Sequence, residues 1–146
     1  MTPHGVRDVI QRFFADSTRA SRGEMVDPLA LCHKELVWTM TGNTPVARTY
    51  NGLDEFRSII GRALGEQFGT GPQFGLYPVD IVVEGNRAAV IVRGQAESAR
   101  GAPYNNSYFF LIEVRDGKLF KVLESCDGAL IMQSVFDSHL EETQAG

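Results

Sequence analysis

From Phe74 onward the chain carries four runs rich in β-forming residues: Phe74–Glu84, Arg87–Glu97, Tyr104–Val114 and Lys118–Asp127. Two of the junctions between them, Gly85-Asn86 and Asp116-Gly117, are residue pairs that accept positive φ at low cost, as a two-residue hairpin demands. Strands joined this tightly form an antiparallel meander, and whatever precedes the meander has to pack on it.

What precedes it reads as three helices and a short hairpin. Val6, Val9, Ile10, Phe13 and Phe14 recur at the spacing that gives a helix one apolar face, with Arg7, Asp8, Gln11 and Arg12 opposite. The polar stretch Ser17–Gly23 ends that helix. Asp27-Pro28 then reads as an N-cap followed by proline in the first helical position, opening a second, short helix that runs to about Cys32. Glu35–Met40 and Val46–Tyr50 are extended pieces either side of a turn at Thr41–Pro45. After Asn51-Gly52, Asp54 and Glu55 favour a helix N-terminus, and Phe56, Ile59, Ile60, Ala63 and Leu64 carry its apolar face to Gly65. Three helices followed by a mostly antiparallel sheet make an α+β fold with the helices on one side of the sheet. Leu130, Ile131, Val135 and Phe136 fit a final amphipathic turn or two, and Leu140–Gly146 reads as a frayed tail.

Composition narrows the function. One domain over residues 1–146, with an ordered core at about 4–137, is expected from the length. A content of 43% hydrophobic and 22% charged residues is an ordinary globular mixture rather than a disordered one. The net charge of −4 and the scatter of the 14 Lys and Arg residues argue against nucleic acid as a partner. Cys32 and Cys126 are too few for a disulfide scaffold and lack zinc-ligand spacing, so a reducing, cytoplasmic setting with no metal or cofactor is expected. With no apolar run of signal-peptide or membrane-span length, no membrane is expected as a partner either. Arginine outnumbers lysine 11 to 3, as a GC-rich genome would give.

The order of elements, together with the strings Val6–Asp16, Asp27–Trp38, Thr49–Phe56 (TYNGLDEF), Tyr104–Tyr108 (YNNSY) and Asp116–Asp127 (DGKLFKVLESCD), resembles the nuclear transport factor 2-like superfamily. Within it the chain resembles the SnoaL-like group that includes polyketide cyclases and relatives of ketosteroid isomerase. The resemblance implies a cone: a curved antiparallel sheet wrapped over helices around an apolar pocket, as in the cystatin-like fold. It also implies a small apolar, polyketide- or steroid-like ligand and a homodimer formed through the sheet. The superfamily hosts isomerases, cyclases, hydrolases and non-catalytic binding or accessory domains, so fold and function stay separate claims.

Matching positions tests the chemistries one by one. The ketosteroid isomerase tyrosine falls at Phe13 or Phe14, its base near Thr39 or Met40, and its acid around Phe109 or Phe110; none of these can titrate, which argues against that mechanism. In the limonene epoxide hydrolase pattern Asp127 matches one aspartate and Arg93 the arginine. The second aspartate falls at Gln95, and the water-holding tyrosine and asparagine fall at Trp38 and Met40, so that set is broken. The residues left as candidates are Asp127 and Arg93 for catalysis, with Trp38, Met40, Gln95, Tyr104, Asn106, Tyr108 and Ser125 for ligand binding. Each has a structural alternative. Asp127 shares a strand face with Leu123 and Ser125, opposite Val122, Glu124 and Cys126, and either works as an acid or base in a pocket or caps the helix that follows. Arg93, Gln95 and Glu97 either line the polar part of a cavity or form the solvated side of the sheet. Tyr104, Asn106 and Tyr108 suit a pocket mouth or a dimer interface, and Trp38 suits a pocket wall or the core. His33 reads as a cap for the carbonyls of the second helix. An enzyme with a proton carrier at Asp127 and a non-catalytic binding domain are therefore both open.

Overall fold

The apolar stripe at the N-terminus folds as expected into α1 (Pro3–Ser21), which Thr2 caps by accepting a hydrogen bond from the Gly5 amide. A computed structural model describes residues 2–68, 75–97, 101 and 103–134 of the chain. Residues 69–74, Val135, Phe136 and the tail Leu140–Gly146 lie outside the described residues. The expected second helix is a single 3-10 turn, Pro28–Leu31, capped by Asp27, whose Oδ1 accepts from the Leu29 amide. Both Asp27 oxygens also receive the Arg57 guanidinium, which holds the Asp27 carboxyl below its ordinary value.

The strands are β1 (Cys32–Met40), β2 (Thr49–Asn51), β3 (Gly75–Glu84), β4 (Arg87–Glu97), β5 (Pro103–Arg115) and β6 (Lys118–Cys126). Between β2 and β3 lies α2 (Leu53–Phe68), where Glu55 reaches back to accept from the Asn51 amide and so closes the helix start. A last helix, α3 (Gly128–Ser134), follows β6. The sheet runs in the order β2-β1-β6-β5-β4-β3 and does not close on itself. Its β3–β6 portion is the antiparallel meander that the turns require. Asp116 and Gly117 both take positive φ (53° and 71°), whereas in the other turn only Gly85 does (61°). One pairing departs from the mostly antiparallel expectation: β1 lies parallel to β6, a contact between segments far apart in the chain.

Alternation on β5 defines the two sheet faces. Tyr104, Asn106, Tyr108, Phe110, Ile112 and Val114 are buried, while Phe109 and Leu111 stand outward. The inner face meets Val6, Ile10, Phe13 and Phe14 of α1 and Phe56 and Ile60 of α2. Phe13, Phe14, Trp38, Phe56, Phe110 and Tyr108 form a continuous chain of ring contacts from α1 across the sheet to α2, with centroids 4.5–6.2 Å apart. Each such ring contributes roughly 1.5–3 kcal/mol by leaving water, which makes this the main anchor of the helices on the sheet.

Helix α1 also closes the outer edge of β3. The Thr18 hydroxyl donates to the Leu76 carbonyl (3.0 Å) and accepts from its amide (2.9 Å), and Arg7 donates to the Ile81 carbonyl (2.9 Å). Between those points Pro78 has no amide to offer, and Val79 is the extra residue of a bulge.

Candidate functional site

Two polar groups are placed on the inner face, one built from β1 and β6 and the other from β5. In the parallel register Trp38 lies beside Val122 and Met40 beside Glu124, so Leu36, Trp38 and Met40 share a surface with Val122, Glu124 and Cys126. The indole Nε1 of Trp38 donates to Oε2 of Glu124 at 3.0 Å. Trp38 itself is 4% exposed, stacked on Phe56 at 4.5 Å and met edge-on by Phe110. Glu124 is half-buried as a residue, but its carboxyl is surrounded by protein, and burial pushes its pKa up from 4.5 to about 7; the Trp38 N–H acts in the opposite direction. No cationic side chain bonds to it among the described residues. A carboxyl in this position exchanges a proton near neutral pH, which is what acid–base catalysis asks of a group.

The second group is a hydrogen-bonded network centred on Asn106. Oδ1 of Asn106 accepts from the Asp127 amide (3.0 Å), which fixes the amide nitrogen on the other side, where it donates to the Asp127 carbonyl (3.2 Å) and the Tyr104 hydroxyl (2.9 Å). The Tyr104 and Tyr108 hydroxyls are 2.6 Å apart, and burial pushes the pKa of both upward. Gly94 of β4, in register with Asn106, makes room for this arrangement, because a Cβ there would lie 2.6 Å from the Tyr108 ring. Cys126 sits between the two groups, its thiol pushed up to about 12 by burial and by the nearby Glu124 and Asp127, so it is a poor nucleophile.

Along the chain, a SnoaL-like domain model matches residues 10–122. The chain belongs to the SnoaL-like family. No curated protein matches it. Solved structures similar to this SnoaL-like domain include a nuclear transport factor 2-like protein of unknown function from Burkholderia pseudomallei, with 15% identity and a TM-score of 0.75 over 92% of this chain and 98% of the other. A Xanthomonas campestris protein of unknown function with a cystatin-like fold gives 15% identity and a TM-score of 0.72 over 92% and 98%. TerC, crystallised with polyporic acid, gives 17% identity and 0.74 over 92% and 99%. At such identities the likeness shows the fold: an α+β arrangement with a curved, open sheet, as the resemblance implied.

Among the residues singled out from sequence, the SnoaL-like domain brings Trp38, Met40, Tyr104, Asn106 and Tyr108 to the inner face. It sends others elsewhere. Asp127 is exposed, and its Oδ1 accepts from the amides of Ala129 (3.0 Å) and Leu130 (3.2 Å), so it caps α3 rather than facing the interior. Arg93 and Gln95 are exposed on the outer face, the solvated side of β4, and Ser125 lies opposite Phe109 on that same outer face. His33 lies in β1, not at a helix end; its Nδ1 accepts from the Glu35 amide while Nε2 lies 3.4 Å from Asp116. The group that sequence reading passed over is Glu124. Pairing begins at Arg115 with Lys118 and Val114 with Leu119, and then a bulge at Phe120 shifts it to Glu113 with Lys121. A single extra residue exchanges the two faces of the rest of the strand, which turns Val122, Glu124 and Cys126 inward and Leu123 and Ser125 outward. The available signal was the unbroken buried face of β5 together with two consecutive large apolar residues, Leu119 and Phe120, both buried.

Among the described residues no group of three or more His, Cys, Asp or Glu side chains could hold a metal ion, and no helix is long and apolar enough to cross a membrane.

Proposed function

We propose that this SnoaL-like domain is a cofactor-independent acid–base catalyst, an isomerase, cyclase or hydrolase, acting on a small, largely apolar molecule of polyketide or steroid-like shape, with Glu124 as its proton carrier. The supporting observation is the Trp38–Glu124 pair: a carboxyl set among aromatic rings, balanced near pH 7, and held by a neutral donor. In an isomerisation or cyclisation, the Glu124 carboxylate takes a proton from a carbon next to a carbonyl, and the neutral acid returns it to another atom of the same molecule, so no external oxidant or cofactor is needed. TerC, which has the same fold, was crystallised with polyporic acid, so a small organic ligand is compatible with this architecture. The free cysteines fit a cytoplasmic setting.

The test is a panel of small cyclic ketones and polyketide-like diketones, followed by NMR for exchange of the acidic C–H proton with deuterium. Wild type is expected to accelerate exchange for at least one member, and Glu124→Gln to reduce that acceleration by roughly 100-fold or more while keeping affinity. Exchange equal in wild type and Glu124→Gln overturns the assignment.

A second reading, a non-catalytic binding domain, draws on the Tyr104–Asn106–Tyr108 network, whose polar atoms are engaged with the protein itself. Under either reading we propose a homodimer through the outer face of the sheet. Ile91 (48% exposed), Phe109 (46%), Leu111 (38%) and Leu123 (38%) stand out on that face. Beside them is a shallow groove of about 280 Å³ that Leu111 and Leu123 line.

A further inference from the structure

Trp38 is the chain's single tryptophan. Its ring plane is set by Phe56 stacked on it, Phe110 at its edge and Phe13 at 6.0 Å, so the direction of its N–H is a property of the core rather than of a mobile side chain. That N–H meets Oε2 of Glu124, and among the described residues it is the one hydrogen bond the carboxyl makes. An indole is a donor only, so the contact persists whether the carboxyl is charged or neutral, and it strengthens when the charge is present. A lysine or arginine in its place would hold the carboxylate charged and remove it from proton transfer.

We propose that Trp38 is the positioning residue of the site, committing Oε2 of Glu124 to the indole so that the proton is gained and lost at Oε1, and that its ring senses whether that proton is present. The proposal rests on the reading of Glu124 as the proton carrier. The groups that face the pair are the Tyr104 and Tyr108 hydroxyls from β5, Tyr50 from β2 with Arg48 over its ring, and Cys126 at the end of β6, while Asp127 beyond it points to solvent at the α3 cap. Helices α1 and α2 present Phe13 and Phe56 there. Burial raises the tyrosine and cysteine groups away from neutrality. Glu124 is therefore the group among these expected to change charge near pH 7.

Two titrations between pH 5 and 9 test this, both on the full chain without ligand. Tryptophan emission of wild type is expected to shift with one midpoint near 7, and emission of Glu124→Gln to stay flat across the range. The carboxyl carbon of Glu124, followed by NMR, is expected to titrate with the same midpoint, and in Trp38→Phe to move upward by roughly one unit, because the donor that favours the charged form is gone. A merely structural tryptophan would leave that midpoint in place. If Glu124 titrates near 7 while wild-type emission stays flat, Trp38 is not the positioning residue and the proton-carrier reading survives. If Glu124 does not titrate between pH 5 and 9, the proton-carrier reading itself fails. Should Trp38→Phe not fold, the comparison of wild type with Glu124→Gln by emission still decides the matter.

Discussion

Asn106 and Glu124 are both polar side chains on the inner face of one sheet, on neighbouring strands, and the protein treats them in opposite ways. Asn106 is 3% exposed and its amide makes three hydrogen bonds, two of them to the Asp127 backbone. Glu124 makes one among the described residues, to a neutral indole, and its charged form is disfavoured. A buried polar group with all its bonds made is a structural fastener, because removing it orphans its partners; one with a single bond retains the freedom to change protonation state. Polar residues in the interior of such a domain are therefore sorted better by how fully they are bonded than by how deeply they lie.

The contrast can be broken most severely at Asn106. Replacing it with alanine removes the two hydrogen bonds it makes to the Asp127 backbone and the one to the Tyr104 hydroxyl, and a loss of about 3 kcal/mol in urea unfolding is expected. A loss below about 1 kcal/mol would show that water replaces those bonds and that Asn106 is no fastener.

The expected effect at Glu124 is smaller and has the opposite sign at high pH. A folded-state pKa raised from 4.5 to about 7 means the folded protein holds this proton more tightly than the unfolded chain does. That advantage is complete below the unfolded value and disappears as pH rises through the folded one. Wild type should therefore lose stability relative to Glu124→Gln between pH 4.5 and about 7, by roughly 2–3 kcal/mol, and remain below it at higher pH. Parallel thermal melts of the two proteins from pH 4 to 9 would reveal a constant gap if the carboxyl is not buried as described.

The smallest effect belongs to Asp127. Its carboxylate caps a helix of one to two turns in solvent, so Asp127→Ala should cost about 1 kcal/mol and leave both the wild-type proton exchange and the tryptophan emission profile unchanged. A collapse of exchange activity in this variant would return Asp127 to the mechanism and shift the site to the end of β6.

Much of the architecture follows from local rules. The stripe from Val6 to Phe14, the Asp27 cap and the Asp116-Gly117 turn each depend on residues within a few positions, and each forms where the sequence places it. The bounds of β4, Arg87–Glu97, were readable for the same reason. The site was less legible because it depends on two non-local facts. The parallel pairing of β1 with β6 joins Trp38 to a partner 86 positions away, and nothing in either segment's own pattern announces it. The bulge at Phe120 then reverses strand parity, so alternation alone gives two equally regular faces for β6, and the face bearing Asp127 is not the one the fold turns inward. The inward parity of Tyr104, Asn106 and Tyr108 was visible, but not that Asn106 would be tied to the backbone of Asp127.

The clasp of α1 on β3 decides what that edge of the sheet can accept. Val79 and Val82 are more than half exposed on that strand, and a bare edge carrying such residues is a template onto which another chain can add a strand and begin a fibre. Here Thr18 and Arg7 already occupy the Leu76 and Ile81 backbone groups, and Pro78 with the bulge at Val79 interrupts the spacing a new strand would need. Strand addition by a second copy along this margin is blocked, so the β3 end of the sheet is finished by the chain's own first helix.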